Sequence, residues 1–576
     1  MKKLLLFSGL LCSLLLFSCK SEPAEDLVKD EILDIRLDRD PDRINPMIYP
    51  KPTARQLFQN IFKPCADVDP FTLEMIPILI DEIPEKANNE DGSVSFTLRF
   101  KSDATWPNGS PITADDYEFT LKAIAHPKVN APSYRSFTKT ITSIQKDKND
   151  PKVFTLSLAE DYFLALETVA TIEVYPKYVY DANNALGAVD LAYLYDEANL
   201  ERIEADSTLM AFAESINGLK YSQEIAIGAG PYQLKSYTPN QKIVLEEVAD
   251  YWGDNYPDNP FLQSGPKELA FHIIPDKTSA LNLLKEGDID LISNIEGNDF
   301  INLKENAYAA DKLEFLNPDF PRIYYFMLNT LSPELSDVTV REALSYLVDI
   351  STYIEVLEGG LGKAINSSIM SNASYYDKSL PMPEFNIEKA NSLLDEAGWK
   401  DSNGDGIRDK LIDGRLRSLI LKMSAAPGKL SGQMGQILKS DAAKAGVSID
   451  LIEKTPKLFN TENIKTGDYH IAAQAISLYP SLYDPYQKWH SDNAFKGNNY
   501  SGYKNETLDG IIETIRQERD MEVLTPLYKQ FQQIVSRDKP ILYLYSPSAK
   551  IAYNKAWKVK PSSVRPGYFP NTATAN

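Results

Sequence analysis

The chain is 576 residues long, well beyond the roughly 250–300 residues at which a single hydrophobic core stops growing, so two to four domains are expected. With 43% hydrophobic, 10% aromatic and 24% charged residues it can bury enough apolar surface to offset the entropy of ordering, which excludes wholesale disorder. Its 60 Lys and Arg against 81 Asp and Glu leave a formal charge of −21, a sign that repels phosphate backbones and argues against nucleic acid as the main partner. Four histidines, His126, His272, His470 and His490, supply little material for a His-rich metal centre or a relay of imidazole bases.

The N-terminus opens with Lys2 and Lys3 and continues with a mostly apolar run from Leu4 to Phe17. That run is short for a bilayer span and suits the apolar region of a signal peptide over residues 1–18. It ends Leu16-Phe17-Ser18-Cys19, which resembles the lipobox of bacterial lipoproteins. Cleavage before Cys19 followed by acylation would anchor the protein to a membrane, each buried CH₂ contributing about 0.8 kcal/mol. The polar stretch to Asp30 then forms a lipidated tether over residues 19–30, on a periplasmic face or at the cell surface. Loss of Lys2 and Lys3 takes the charge to −23, and Cys65 remains without a partner, so the exported part is held by its cores rather than by disulfides.

Further along, period-two alternation predicts strands over Ser93–Phe100, Val153–Leu158, Lys242–Val248, Glu268–Ile274, Ile323–Asn329, Leu419–Ser424, Ser448–Lys454 and Ile541–Ser546. Helical spacing predicts Ala114–His126, opened by an acidic capping box Thr113-x-x-Asp116, and Ile387–Ala397, capped by Asn386 and stopped by Gly398. Thr278–Lys285, Val338–Glu358, Ser431–Ala445, Glu506–Glu518 and Glu522–Arg537 read the same way. Strands alternating with helices from about residue 265 onward imply α/β layering.

Catalytic machinery is absent from this pattern: no G-x-S-x-G, H-E-x-x-H or C-x-x-C occurs. Gly228-Ala229-Gly230-Pro231-Tyr232-Gln233 begins like a dinucleotide fingerprint but has Gln at its sixth position and Pro in the turn. Gly359-Gly360-Leu361-Gly362-Lys363-Ala364 lacks the upstream Gly and the following Ser or Thr of a phosphate loop. Asp401, Asn403, Asp405, Ile407 and Asp409 have the spacing of a calcium loop with Gly406 at its turn, but the twelfth position is Ile412 where a bidentate Glu belongs. The segment is either a tight Asx-rich turn or a structural Ca²⁺ site, and no cofactor is required in either case. Tyr479, Tyr483, Tyr486 and Trp489 cluster around Asp484-Pro485, a composition suited either to a ligand wall or to a half-buried loop.

Four segments in order carry a resemblance. Asp69-Pro70-Phe71-Thr72 through Pro77, Trp106-Pro107-Asn108-Gly109-Ser110-Pro111-Ile112-Thr113-Ala114-Asp115-Asp116, Gly228-Ala229-Gly230-Pro231-Tyr232 with Asp250-Tyr251-Trp252, and Val340-Arg341-Glu342-Ala343-Leu344 through Asp349 are similar to the signatures of family 5 extracytoplasmic solute-binding proteins, the peptide-binding and related components of ABC importers. The resemblance implies an α/β, two-lobed periplasmic-binding-protein-like fold of the cluster C type with an extra domain on the N-terminal lobe. Residues 31–60, 222–315 and 545–576 would form lobe I, 61–221 the extra domain, and 316–544 lobe II. It further implies a monomer, not an enzyme, that closes on a peptide or other small oligomeric solute and presents it to an ABC transporter permease. Peptide-binding relatives fix the free amine with a carboxylate just before a (D/E)-P pair in the second lobe. Here that position falls on Tyr479 or Ser481, neither of them charged, and Asp484 keeps the acid beside Pro485. This departure leaves a non-peptide solute, such as an oligosaccharide, siderophore or metal chelate, as the alternative. Tyr134 and Asn329 stand where relatives line the cleft, or else pack inside their lobes. A surface hydrolase using paired carboxylates is the competing reading from another class.

Overall fold

The computed structural model describes residues 31–48, 51–159, 161–371, 373–425, 430–478, 482–518 and 520–576; the signal segment, Cys19, the tether, Tyr479 and Ser481 lie outside them. Three sheets organise the chain. The first runs in the order Leu313–Leu316, Ile551–Asn554, Leu291–Ile292, Ile32–Leu37, Glu268–Ile273, Lys242–Glu247 and Tyr232–Thr238. The second runs Gly362–Ala364, Ile541–Pro547, Arg322–Leu328, Ile471–Ser477, Ile420–Ala425 and Ser448–Glu453. The third is antiparallel, Lys86–Asn88, Val94–Arg99, Val153–Leu158 and Ile141–Lys146. Parallel pairing of Ile420–Ala425 with Ser448–Glu453 requires a crossover, which the helix Leu430–Ala443 supplies.

Side-chain alternation sets the layers. In Arg322–Leu328, Ile323, Tyr325 and Met327 enter one core with Trp489 and Tyr528, while Phe326 and Leu328 enter another with Trp399. The second sheet is therefore covered on both faces. On the other side of the molecule one continuous core joins Leu33, Ile35 and Phe271 of the first sheet to Phe96, Leu98 and Phe154 of the third, with Cys65 fully buried among them. No described helix is long and apolar enough to cross a membrane.

The predicted strands form within a residue or so of their expected bounds, and so do most helices. Asp116 accepts hydrogen bonds from the Thr113 N–H (3.0 Å) and hydroxyl (3.3 Å), and Asn386 accepts from the Lys389 N–H (2.9 Å), as the capping patterns require. The helix expected over Val338–Glu358 is instead two, Val338–Ser345 and Ile350–Glu358. Asp349 is the reason: its carboxylate takes the Thr352 hydroxyl at 2.8 Å, and as N-cap it starts a new helix rather than continuing the old one. Gly359 ends that second helix at φ +63°, and the Gly359-Gly360 segment has no phosphate-loop geometry.

The signature segments are scaffold. A Cβ on Gly228 would lie 2.3 Å from the Ile61 carbonyl oxygen and one on Gly230 2.3 Å from that of Asn60, so both glycines are required by backbone-to-backbone approach. Tyr251 donates to the Ala229 carbonyl at 2.9 Å from the neighbouring motif. Arg341 is buried and gives its guanidinium to the carbonyls of Leu335, Ser336 and Asp538, tying the helix Val338–Ser345 to the end of Met521–Asp538.

Two antiparallel segments carry the chain between the first and second sheets. Leu313–Leu316 pairs with Ile551–Asn554 in one sheet, and Arg322–Leu328 pairs with Ile541–Pro547 in the other. Between them Phe320 N–H donates to the Pro547 carbonyl (3.1 Å) and Ala549 N–H to that of Pro318 (2.8 Å). Beside this ladder Lys550 and Glu358 form a buried ion pair at 2.6 Å, and the Tyr545 hydroxyl donates to the same carboxylate at 3.1 Å. Removing one partner strands the other charge in the interior. Glu358→Gln should therefore cost about 3–5 kcal/mol in denaturant unfolding, whereas replacing both partners with apolar residues should recover most of that loss.

Candidate functional site

The strand register decides which end of the second sheet faces the first. Arg322, next to the crossing segments, lies opposite Ser477, while Leu328 lies opposite Ile471. The chain leaving Ser477 is held at the crossing, with Leu478 N–H donating to the Pro321 carbonyl at 2.9 Å. The described chain resumes at residue 482. Asn329 sits at the other end of its strand, roughly 20 Å away at about 3.3 Å per residue. Its amide donates to the carbonyls of Gly467 (2.9 Å) and Tyr469 (3.1 Å) and its oxygen accepts from Leu331, beside a cavity of about 400 Å³ lined by residues of the second sheet's body alone. Asn329 is thus a structural side chain remote from the crossing, which corrects its expected place in a cleft between bodies.

Asp484 accepts from the Tyr486 N–H at 2.9 Å, an Asx turn that starts the short helix Tyr486–Trp489. The other carboxylate oxygen lies 3.4 Å from Nε of Arg516. The Arg516 guanidinium rests 4.4 Å above the Tyr486 ring and reaches 5.9 Å from that of Tyr162, which belongs to the body carrying the third sheet. This is a contact between the two bodies away from the crossing segments. Burial, with Asp484 opposite, pushes the Tyr162 phenol up to about 12.

Trp489 is only 1% exposed; its indole N–H donates to the Tyr483 hydroxyl at 2.9 Å and its ring packs edge-on to Phe531. It braces the segment rather than presenting a surface, contrary to the expectation of a ligand contact. Tyr483 stays half-buried, its carbonyl held by the Tyr528 hydroxyl at 2.7 Å. Lys488 is half-buried beside it and donates to the Tyr325 hydroxyl at 2.5 Å.

In the first body Tyr134, on the helix Pro132–Thr138, donates to Glu173 at 2.5 Å. Burial raises the Glu173 and Asp67 carboxyls above their usual range, only partly opposed by Arg55, and lifts the Tyr134 phenol as well. Two carboxyls therefore gather around Tyr134 in a half-buried position, a costly arrangement that a packing role alone does not require. Sequence reasoning named Tyr134, Tyr483 and Asp484 as candidates and did not name Glu173, Asp67, Tyr162, Lys488 or Arg516, whose contacts come from partners far along the chain.

The calcium-like loop satisfies itself. Asp401 accepts from the N–H groups of Gly404 (2.7 Å) and Gly406 (3.0 Å), Asp405 from Ile407 (2.8 Å), Asn403 from Asp405 (2.9 Å), and Asp409 from the N–H and hydroxyl of Ser402. Among the described residues no group of three or more His, Cys, Asp or Glu side chains is placed to hold a metal ion.

The model of the bacterial extracellular solute-binding proteins, family 5 Middle, matches residues 74–498. The oligopeptide-binding protein AppA of Bacillus subtilis is 25% identical over 477 residues, covering 82% of this chain and 78% of that one. The solved structure of AppA from Bacillus subtilis in complex with a nonapeptide superposes with a TM-score of 0.67 at 21% identity over 95% of this chain and 99% of that one. NikA from Brucella suis in complex with Fe(III)-EDTA gives a TM-score of 0.75 at 18% identity over 95% and 100%.

Glu173→Gln keeps the acceptor for Tyr134 while removing a carboxylate whose ionisation burial opposes. The variant should be more stable than the parent at pH 7 by thermal unfolding. The gain should shrink as pH falls toward the ordinary glutamate value near ~4.3, because the parent carboxyl is then protonated in the unfolded state also and folding no longer has to take up a proton.

Proposed function

Because the chain belongs to the bacterial extracellular solute-binding proteins of family 5, we propose that it is the lipid-anchored receptor of an ABC importer, which encloses a peptide-like solute between its two lobes and hands it unchanged to the permease. The paired crossing segments carry this reading: two bodies with separate cores, connected there by a two-stranded ladder, can change their mutual angle without breaking either core. Capture is then a shift of population toward the closed arrangement, driven by contacts that only the closed form makes with the solute. The wall of the second lobe around Tyr483, Asp484 and Tyr486 faces Tyr162 and supplies rigid aromatic area with polar tips, a surface suited to varied side chains. The complex of AppA with a nonapeptide supports the peptide class, and an extra domain on lobe I, over residues 61–221, is part of the same reading.

A second reading keeps the architecture and changes the cargo to a metal chelate or another non-peptide solute. It is favoured by the uncharged residues at positions 479 and 481 and by the chelate held by NikA. The loop from Asp401 to Asp409 is read here as a structural turn, and the protein as a monomer.

Mass spectrometry of material released from the purified protein separates these readings: short peptides are expected, and a chelate or sugar in their place would transfer the claim to the second. In thermal unfolding, a true ligand at 100 times its Kd should add about 2.7 kcal/mol of stability. For the anchor, metabolic labelling with a radioactive fatty acid should mark the parent and leave Cys19→Ser unlabelled and released from the membrane fraction.

A further inference from the structure

Among the described residues Lys488 is a cation without an anion. It stands in the helix Tyr486–Trp489, on the segment that leaves the crossing end of the second sheet, one turn from the Arg516–Tyr486 stack that meets Tyr162 of the opposite body. The Lys488 ammonium donates to the Tyr325 hydroxyl at 2.5 Å and lies 4.2 Å from that ring and 5.8 Å from that of Trp489. Tyr483, on the same segment, and Tyr543, on the neighbouring strand, stand close to Tyr325, with the Tyr543 hydroxyl 2.8 Å from that of Ser368. Among the described residues no carboxylate comes within ion-pair distance of Lys488, and of the two acids four residues away along the chain, Asp484 is engaged by Arg516 and the Tyr486 N–H while Asp492 lies 3.8 Å from His490.

A buried ammonium solvated by phenols and ring faces alone is expensive to keep charged, so it is retained where something brings a counter-charge. Its partial exposure leaves a path for that group. Resting on the receptor reading above, we propose that Lys488 is the anion-recognition group of the second lobe, receiving a carboxylate of the enclosed solute, so that the preferred cargo is anionic at that end. Lys488 is three residues beyond Pro485, on the other side of the pair from positions 479 and 481, where peptide-binding relatives place an acid for an amine. The segment thus lacks an acid at positions 479 and 481 and carries a cation beyond the Asp484-Pro485 pair. Burial holds the free lysine down to about 7, with no negative group opposing it, so binding of a carboxylate entails proton uptake and weakens as pH rises through that value.

The test uses the purified mature protein, the Lys488→Met variant and Lys488→Arg, which keeps the charge. Methionine preserves the stem and removes an unpaired buried charge, so folding is retained or improved. Three probes are titrated calorimetrically at pH 6 and pH 9: tetra-alanine with a free C-terminus, its C-terminal amide, and succinate. The parent should bind the free acid at least about tenfold tighter than the amide at pH 6, lose most of that preference at pH 9, and lose it at both pH values in Lys488→Met but not in Lys488→Arg. Equal binding of acid and amide by the parent, or a preference that survives Lys488→Met, overturns the proposal and leaves peptide reception standing. Succinate binding that depends on Lys488 without any peptide binding supports the anion site and removes the peptide claim. No response to any probe overturns the anion proposal.

Discussion

Everything in this molecule that concerns function depends on the antiparallel ladder between residues 316 and 322 and between 547 and 551. Its hydrogen bonds continue the pairing of both sheets, so each crossing segment is anchored at both ends while its middle belongs to neither core. The Glu358–Lys550 pair lies against it, and a Cβ on Gly297 would meet the Glu358 carbonyl at 2.3 Å, so the two bodies approach backbone to backbone at this edge. Tight contact on the hinge side, combined with a sparse contact through Arg516 and Tyr162 beyond it, is the distribution expected of bodies that rotate about a shared axis.

Stability and recognition are assigned to different residues. The segments that identify the family are committed to the scaffold: Gly228 and Gly230 admit a close backbone, Asp116 caps a helix, Arg341 collects carbonyls from two helices. Other groups are poorly compensated. Glu173 and Asp67 carry carboxyls that burial disfavours, and Lys488 has no carboxylate within ion-pair distance among the described residues. Sites that must receive a partner commonly keep such groups at the expense of stability, since a fully satisfied wall has nothing left to offer a solute.

Much of the architecture was legible because it is local. Val153–Leu158 alternates with period two and forms a strand with those bounds, and Asn386 announces a helix that starts at the next residue. The split of the expected Val338–Glu358 helix was harder to see, since only the geometry at Asp349 shows that its side chain ends one helix by capping the next. Among the candidate residues, Tyr134, Tyr483 and Asp484 were proposed from motif position. Asn329 and Trp489 were misplaced by the same reasoning, because a strand has two ends and a tryptophan two possible directions, and sequence order does not choose between them.

The amino-acid sequence alone determined the family, the strand and helix periods and the lack of an acid at positions 479 and 481, all properties of neighbouring residues or of motif order. Tertiary structure decided which side chains oppose one another across the bodies. Lys488 meets Tyr325 across 163 residues of chain and Lys550 meets Glu358 across 192. Whether a charge is neutralised or left free is a property of such distant pairs, and no local pattern encodes it.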